Sequence, residues 1–163
     1  MKKTGLVVLF ITIIYVSLFG TAQFPDILYH EGKKYSIFSN PLESYFSSKN
    51  PRPDNLFQYS CTANWRGYIA TWKIENGKFL LVKVVKGDCS ANPAEIDISS
   101  LFGKKLPVEA IWFSGVLRIP QGKLLSYVHM GYGSVYEKDI LLTIRNGLLI
   151  REEIKKNSVP KIR

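Results

Sequence analysis

Few side chains in this sequence have the chemistry of catalysis. Among 163 residues the only histidines are His30 and His129, and the only cysteines are Cys61 and Cys89. His129, in YVHMGYG, falls across from Ser114, in WFSGVL, if residues 112–130 fold back as a hairpin, a placement that reads as a base beside a nucleophile. Ser114 lacks the Gly-x-Ser-x-Gly elbow that exposes a hydrolase serine, and a strand histidine satisfied by its neighbours is the commoner arrangement. Cys61 with His129 makes a second nucleophile pair, weakened by the presence of Cys89 as a disulfide partner. Zinc takes three or four ligands, and two separated histidines without His-x-His or Cys-x-x-Cys spacing do not supply them. Glu137 and Asp139 could join Asp26 or Glu109 around calcium, but no Asp-x-Asp-x-Asp-Gly loop is written. Gly131 and Gly133 precede no helix, so they do not cradle phosphate. Neither a metal nor a cofactor is expected. A glycosidase needs two carboxylates on one groove, and thirteen acids leave room for such a pair without identifying it.

Aromatic residues carry more information. Tyr59, Trp65, Tyr68 and Trp72 crowd into YSCTANWRGYIATW, and Tyr127, Tyr132 and Tyr136 cluster around Gly131 and Gly133. Tyr68 and Trp72 share a strand face by period-two alternation and belong to a core. Trp65, Arg66, Tyr132 and Tyr136 stand beside glycines or in loops, where aromatic and arginine side chains meet partners. With His129 they form the candidate binding set. The competing interpretation is that the glycines mark bulges and the tyrosines cap the sheet.

The elements that must position these residues are strands. TWKIENGKFLLVKV and LLTIRNGLLIREEI each set an Asn-Gly pair between apolar residues, at Asn76-Gly77 and Asn146-Gly147, the signature of a two-residue hairpin with positive φ at both turn positions. In the first, Glu75 faces Lys78, Ile74 faces Phe79, Trp72 faces Leu81, Ala70 faces Lys83, and Thr71 faces Val82, with both faces apolar enough to be covered. In the second, Arg145 faces Leu148, Ile144 faces Leu149 and Thr143 faces Ile150, and charged Arg151–Glu153 suits an open edge. A third hairpin is expected over residues 112–130 with Gln121-Gly122 as its loop, pairing Ile119 with Leu124. A fourth spans residues 26–38, turning at Glu31-Gly32. Pro41 can start a helical turn over Leu42–Phe46, and residues 97–102 a short turn ended by Gly103. No segment after residue 22 sustains a 3.6-residue apolar period. The fold class is therefore all-β, an antiparallel sandwich or partly open barrel of about four hairpins over residues 23–154, followed by a loose basic tail at 155–163.

The N-terminus reads as an export signal. Lys2 and Lys3 precede an apolar run from Leu6 to Phe19, and Gly20-Thr21-Ala22 offers small residues for cleavage, so residues 1–22 form a signal peptide. The alternative is a retained anchor over residues 6–24, close to the ~20 residues of a membrane span. Either way the rest of the chain is exported across the cytoplasmic membrane, into the periplasm or beyond, and contacts the membrane only through that segment. There an even pair of cysteines favours a Cys61–Cys89 disulfide. Loss of Lys2 and Lys3 takes the net charge of +9 to +7, which attracts anionic envelope polymers and keeps an exported protein soluble. No RNP-type aromatic motif, zinc-finger spacing or helix-turn-helix pattern supports specific nucleic-acid recognition. The expected function is that of an exported, non-catalytic binding protein with a protein or anionic envelope polymer as partner, inhibitor- or immunity-like in size and compartment. The alternative is a small secreted hydrolase of cell-wall or polysaccharide substrates.

Overall fold

The computed structural model describes residues 21–159. Most of the expected signal (all but residues 21–22) or anchor (all but residues 21–24) and the final residues of the tail lie outside this range. The described chain forms eight strands, β1 (Asp26–His30), β2 (Lys33–Ile37), β3 (Tyr68–Glu75), β4 (Lys78–Lys86), β5 (Val108–Glu109), β6 (Gly115–Ser126), β7 (Val135–Arg145) and β8 (Leu148–Lys156). A five-residue 3-10 turn, Pro41–Tyr45, and a four-residue helix α1, Ser99–Phe102, sit in the two long connectors where Pro41 and Gly103 mark them. All eight strands belong to one sheet, not closed, in the order β2-β1-β3-β4-β8-β7-β6 with β5 added to β4. Every pairing is antiparallel except β1 with β3, which run parallel with Leu28 opposite Trp72. The long connector between β2 and β3 allows that parallel return, which a tight turn could not make.

Three expected hairpins form at their glycines. Glu31-Gly32, Asn76-Gly77 and Asn146-Gly147 all have positive φ, as two-residue loops of this kind require. Near each Asn-Gly tip the expected register is present, but farther out both ladders shift. On β4 the order becomes Trp72 opposite Leu81, then Thr71 opposite Lys83 and Ala70 opposite Val84. Strict alternation from Phe79 and Leu81 would have aimed Lys83 into the core. The bulge inserts Val82, turns Lys83 outward and lets Val84 follow Phe79 and Leu81 inside. On β8 the same correction puts Thr143 opposite Arg151 rather than Ile150. The outer face of the first Asn-Gly hairpin is half-buried rather than covered, with Lys73 and Lys83 in solvent.

The expected hairpin at Gln121-Gly122 does not form. β6 runs straight through as one twelve-residue strand paired with β7, Leu117 opposite Leu142 and Ile119 opposite Ile140. Gly122 takes its positive φ in a register shift instead of a reversal, and Lys123 N–H donates to Glu137 Oε2 at 2.9 Å across it. Pairing with the long apolar run of β7 satisfies more of β6 than folding back on itself would. Pro120 is tolerated because β6 ends the strand path and has a free side. The reversal falls at residues 127–134.

The two Asn-Gly tips meet each other. Phe79 N–H donates to Gly147 O, and Leu149 N–H to Gly77 O, both at 2.8 Å. Each donor lies two residues past its own turn glycine, so the contact is reciprocal. Through it β4 and β8 join at Lys78 opposite Leu148 and nowhere else. Beyond that junction the outer side of β8 has no strand partner among the described residues, and Arg151–Glu153 lie along it. At the other ends of the path, Phe38 N–H donates to Arg118 O at 2.7 Å, bridging the end of β2 to β6. The core gathers the inward rows of these strands: Tyr68, Ala70 and Trp72 from β3, Phe79, Leu81 and Val84 from β4, Leu117 and Ile119 from β6, and Leu142 and Ile144 from β7. Trp72 stacks on Phe79 at 4.6 Å between ring centres. The tail begins later than expected, because β8 reaches Lys156 and Asn157 is tied to Glu137 O, Tyr136 O and Asp139 Oδ2.

Candidate functional site

At the end of the sheet where the described chain begins, three segments are fastened together. Gln23 is the fastener. Its Nε2 donates to Thr62 O at 3.1 Å, its Oε1 accepts from Trp65 N–H at 3.0 Å, and Phe24 N–H donates to Ala63 O at 2.8 Å. Ala22 bridges to Gly131, so residues 22–24 hold the loop before β3 against the β6–β7 loop. Cys61 is bonded to Cys89, which anchors the first loop from behind, and Cys89 takes positive φ to reach it. The bond removes Cys61 as a nucleophile.

Beneath the loops lies a buried polar network. Asp26, wholly buried at the start of β1, accepts from Arg66 Nη2 and Ala70 N–H on Oδ1 and from Trp72 Nε1 on Oδ2, at 3.2, 3.1 and 3.0 Å. Arg66 also donates to Phe24 O and to the Tyr132 hydroxyl, and that hydroxyl in turn reaches Asn40 Oδ1 at 2.9 Å. Arg118 pairs with Asp139 and donates to the Tyr132 and Ser134 carbonyls, fixing the β6–β7 loop from the opposite side. Burial pushes the Asp26 carboxyl up to about 6, against the opposing pull of Arg66, Trp72 and Ala70. For Arg66, burial works to lower the pKa, but Asp26, Tyr132 and Tyr68 together raise it above its ordinary value. Burial also raises Tyr132, with Arg66 opposing.

The expected binding set therefore divides. Arg66 is buried, Tyr132 is half-buried and stacked on Phe38 at 4.9 Å, and Tyr136 meets Phe38 edge-on at 5.9 Å. These three lie in the supporting layer. Trp65 points outward with 64% of its surface accessible, and His129 is exposed with its ring against Tyr127. Two residues the sequence did not single out are exposed on the fastened segments, Phe24 at 45% next to Gln23 and Met130 at 69% next to Gly131. Their signal lay in the structure alone, since the Gln23 and Gly131 contacts that join these segments are not written in the sequence.

Ser114 and His129 are not neighbours. Ser114 accepts from Asn146 N–H and contacts Asn146 Oδ1 at the second Asn-Gly tip, whereas His129 follows the far end of β6, about 35 Å of strand away. No protein-family model matches this chain, and no curated protein or solved structure matches it either. Its geometry alone carries the functional reading. Glu137 and Asp139, weighed for calcium and set aside for want of a loop, have separate partners, Asp139 buried on Arg118 and Glu137 exposed at the β6 register shift. Glu95 and Asp97 share a cleft with Lys105, but both are exposed, Glu95 pairs with Lys83, and the hydrogen bond from Ser99 lowers Asp97. The one carboxyl held up toward neutrality, Asp26, has no exposed surface on which to meet a substrate. Of the described residues, His30, Glu31 and Glu152 alone bring three metal-ligating atoms within 4.8 Å of one another; Glu31 and Glu152 are exposed, and His30 Nε2 lies 3.1 Å from Glu152. A second aromatic surface, absent from the expected set, lines a groove where Phe102 stacks on Trp112 at 5.1 Å with Tyr45 against both.

Proposed function

We infer that this is an exported binding protein whose contact surface centres on Trp65. One observation carries the reading. A large aromatic side chain stands 64% exposed on a loop that a disulfide, Gln23 and the Asp26–Arg66 network hold rigid. Rigid aromatic anchors lose little entropy on binding and are the residues that dominate interfaces. Export rests on the Lys2-Lys3 and Leu6–Phe19 pattern, and the Cys61–Cys89 bond is compatible with an oxidising compartment. The single sheet with β2 bridged to β6 supports the partly open barrel over the sandwich. The hydrolase alternative lacks an accessible acid of raised pKa among the described residues.

Affinity capture from the producing cells, with wild type and Trp65→Ala in parallel, tests this. The variant is expected to lose the captured partner while unfolding at the same temperature as wild type. Equal capture by both proteins would remove Trp65 from the binding surface.

A further inference from the structure

The open edge of β8 is laid out symmetrically about one residue. In an antiparallel ladder each residue turns its N–H and C=O together to one side, and successive residues alternate. Asn157 N–H donates to Glu137 O, so Asn157 faces β7, and by alternation Lys155 and Glu153 face it too. Lys156, Ile154 and Glu152 therefore turn their backbone groups to the outer side. Nearer the tip, Leu149 N–H and Gly147 O also point outward, but they are spent on Gly77 and Phe79. The register shift at Ile150 separates these two sets. What stays unpaired among the described residues is a row centred on Ile154, a side chain 63% exposed.

Charge along an open edge discourages pairing when it sets like signs against each other. On β8 the charges discriminate between registers instead. Two copies of the strand can pair antiparallel around a two-fold axis, provided outward residues meet outward residues, which forbids half-step registers. With the axis at Ile154, Glu153 faces the partner's Lys155 and Glu152 faces the partner's Lys156, each contact occurring twice. Ile154 then meets its own copy. An axis at Arg151, Glu152, Glu153, Lys155 or Lys156 sets that charged residue directly on its own copy. Opposite charges across a strand pair stabilise it and like charges directly opposite destabilise it. Only the axis at Ile154 avoids every like-charge pair while using every free outward group. The charges are also available. Lys155 and Lys156 have no ion pair among the described residues, and Glu152 spends one oxygen on His30 and keeps the other open. Glu153 pairs with Arg151 along its own strand, on the face that the partner's Lys155 would join.

We propose that β8 pairs with the β8 of a second copy of this chain, giving a two-fold symmetric dimer with Ile154 on its axis and one sheet continuous across it. The two Ile154 side chains stand beside Ile140, their neighbour on β7, and cover apolar surface that a monomer leaves exposed. The pairing closes on itself. Each copy offers the same edge to the other, and the ladder ends where Leu149 is already joined to Gly77, so no edge is left to recruit a third copy. A ladder this short is a small interface, and the dimer forms reversibly with concentration. The inference needs neither export nor the Trp65 surface.

The test is sedimentation equilibrium on the protein as its producing cells make it, over a wide range of concentration. Wild type is expected to pass from monomer to dimer as concentration rises. Glu152→Lys with Glu153→Lys sets like charges against each other at every charged pair, and Lys155→Glu with Lys156→Glu does the same with the opposite sign. Each double variant alone is expected to dimerise about tenfold more weakly or worse. An equimolar mixture of the two is expected to regain wild-type association, because every pair is again opposite in sign. Rescue on mixing is a readout that a folding defect does not give. Ile154→Cys reports the register independently. A short thiol-to-thiol crosslinker should join it to its own copy and should not join Ile150→Cys, whose copies lie about 27 Å apart in this register. Wild type that stays monomeric throughout overturns the dimer. A dimer indifferent to both charge reversals, or folded variants that stay apart when mixed, overturns pairing through β8. Crosslinking at Ile150→Cys as readily as at Ile154→Cys overturns the register.

Discussion

Asp26 sets stability against pH in a direction that the structure fixes. Its carboxylate is wholly buried, faces Arg66, Glu43, Tyr68 and Tyr132, and is raised from 3.8 to about 6, with burial as the largest cause. In the window between those values the folded protein holds a proton that the unfolded chain has released. Stability therefore falls as pH rises from about 4 to about 6 and is level above that. A rise of that size in a single carboxyl corresponds to about 3 kcal/mol. Other carboxylates titrate over the same range, so the quantity to measure is the difference from a variant that cannot titrate.

Asp26→Asn serves. The amide keeps one oxygen for Ala70 N–H, but its NH2 then meets Trp72 Nε1–H donor to donor, and Arg66 loses its counter-charge in a buried position. Breaking a buried pair from one side costs about 3–5 kcal/mol, which sets the gap between the two proteins at neutral pH. Urea unfolding across about pH 4 to pH 7.5 should show that gap constant above pH 6.5 and wider by about 3 kcal/mol near pH 4. A gap that narrows below pH 6 would mean that Arg66 and the three hydrogen bonds outweigh desolvation and hold the native carboxyl below 3.8. A gap without pH dependence would mean that the two effects cancel. Either result refutes the argument that burial dominates at this site.

The two hairpin glycines should respond unequally. A Cβ at Gly77 meets nothing within 4 Å, whereas one at Gly147 would lie 2.9 Å from the Ala110 carbonyl carbon. Gly77→Ala is expected to cost about 1–2 kcal/mol from its positive φ alone, and Gly147→Ala clearly more, measured by urea unfolding. Replacing Cys61 and Cys89 together by Ser should lower stability by roughly 3–4 kcal/mol on the chain-entropy account for a 28-residue separation; an unchanged midpoint would show the loop to be equally restrained without the bond. Tyr132→Phe keeps the stack on Phe38 but leaves Arg66 Nη1 and Asn40 Oδ1 each short of a partner. It should cost about 1–2 kcal/mol in thermal unfolding, and a neutral result would mean water replaces the hydroxyl.

What could be read in the sequence was written locally. Glu31-Gly32 and the two Asn-Gly pairs specify their turns through the φ those residues tolerate, and Pro41 and Gly103 mark short helical turns for similar reasons. Gln121-Gly122 carries the same local signal and forms no hairpin, because β7, beyond the loop that follows β6, offers β6 a longer ladder than β6 can offer itself. The bulges at Val82 and Ile150 escaped for a related reason: alternation is a local rule, and only a core that excludes Lys83 reveals where it must break. At the candidate site, Trp65 stood out by type and by its neighbouring glycine, but the placement of Arg66 and Tyr132 did not. Their partners Asp26 and Phe24 lie some 40 residues or more away in the chain, and nothing near Arg66 announces a buried acid. The repeated hairpin shows how far local information reaches. Each Asn-Gly pair specifies its own turn and could do so alone. Together they expose, on two tips, the same arrangement of a glycine carbonyl and an N–H two residues later. The tips bond reciprocally through those groups and join β4 to β8, so the repetition acts as the joint between the two halves of the sheet. The loops that Gln23 fastens, with Trp65 exposed on one of them, lie at the opposite end.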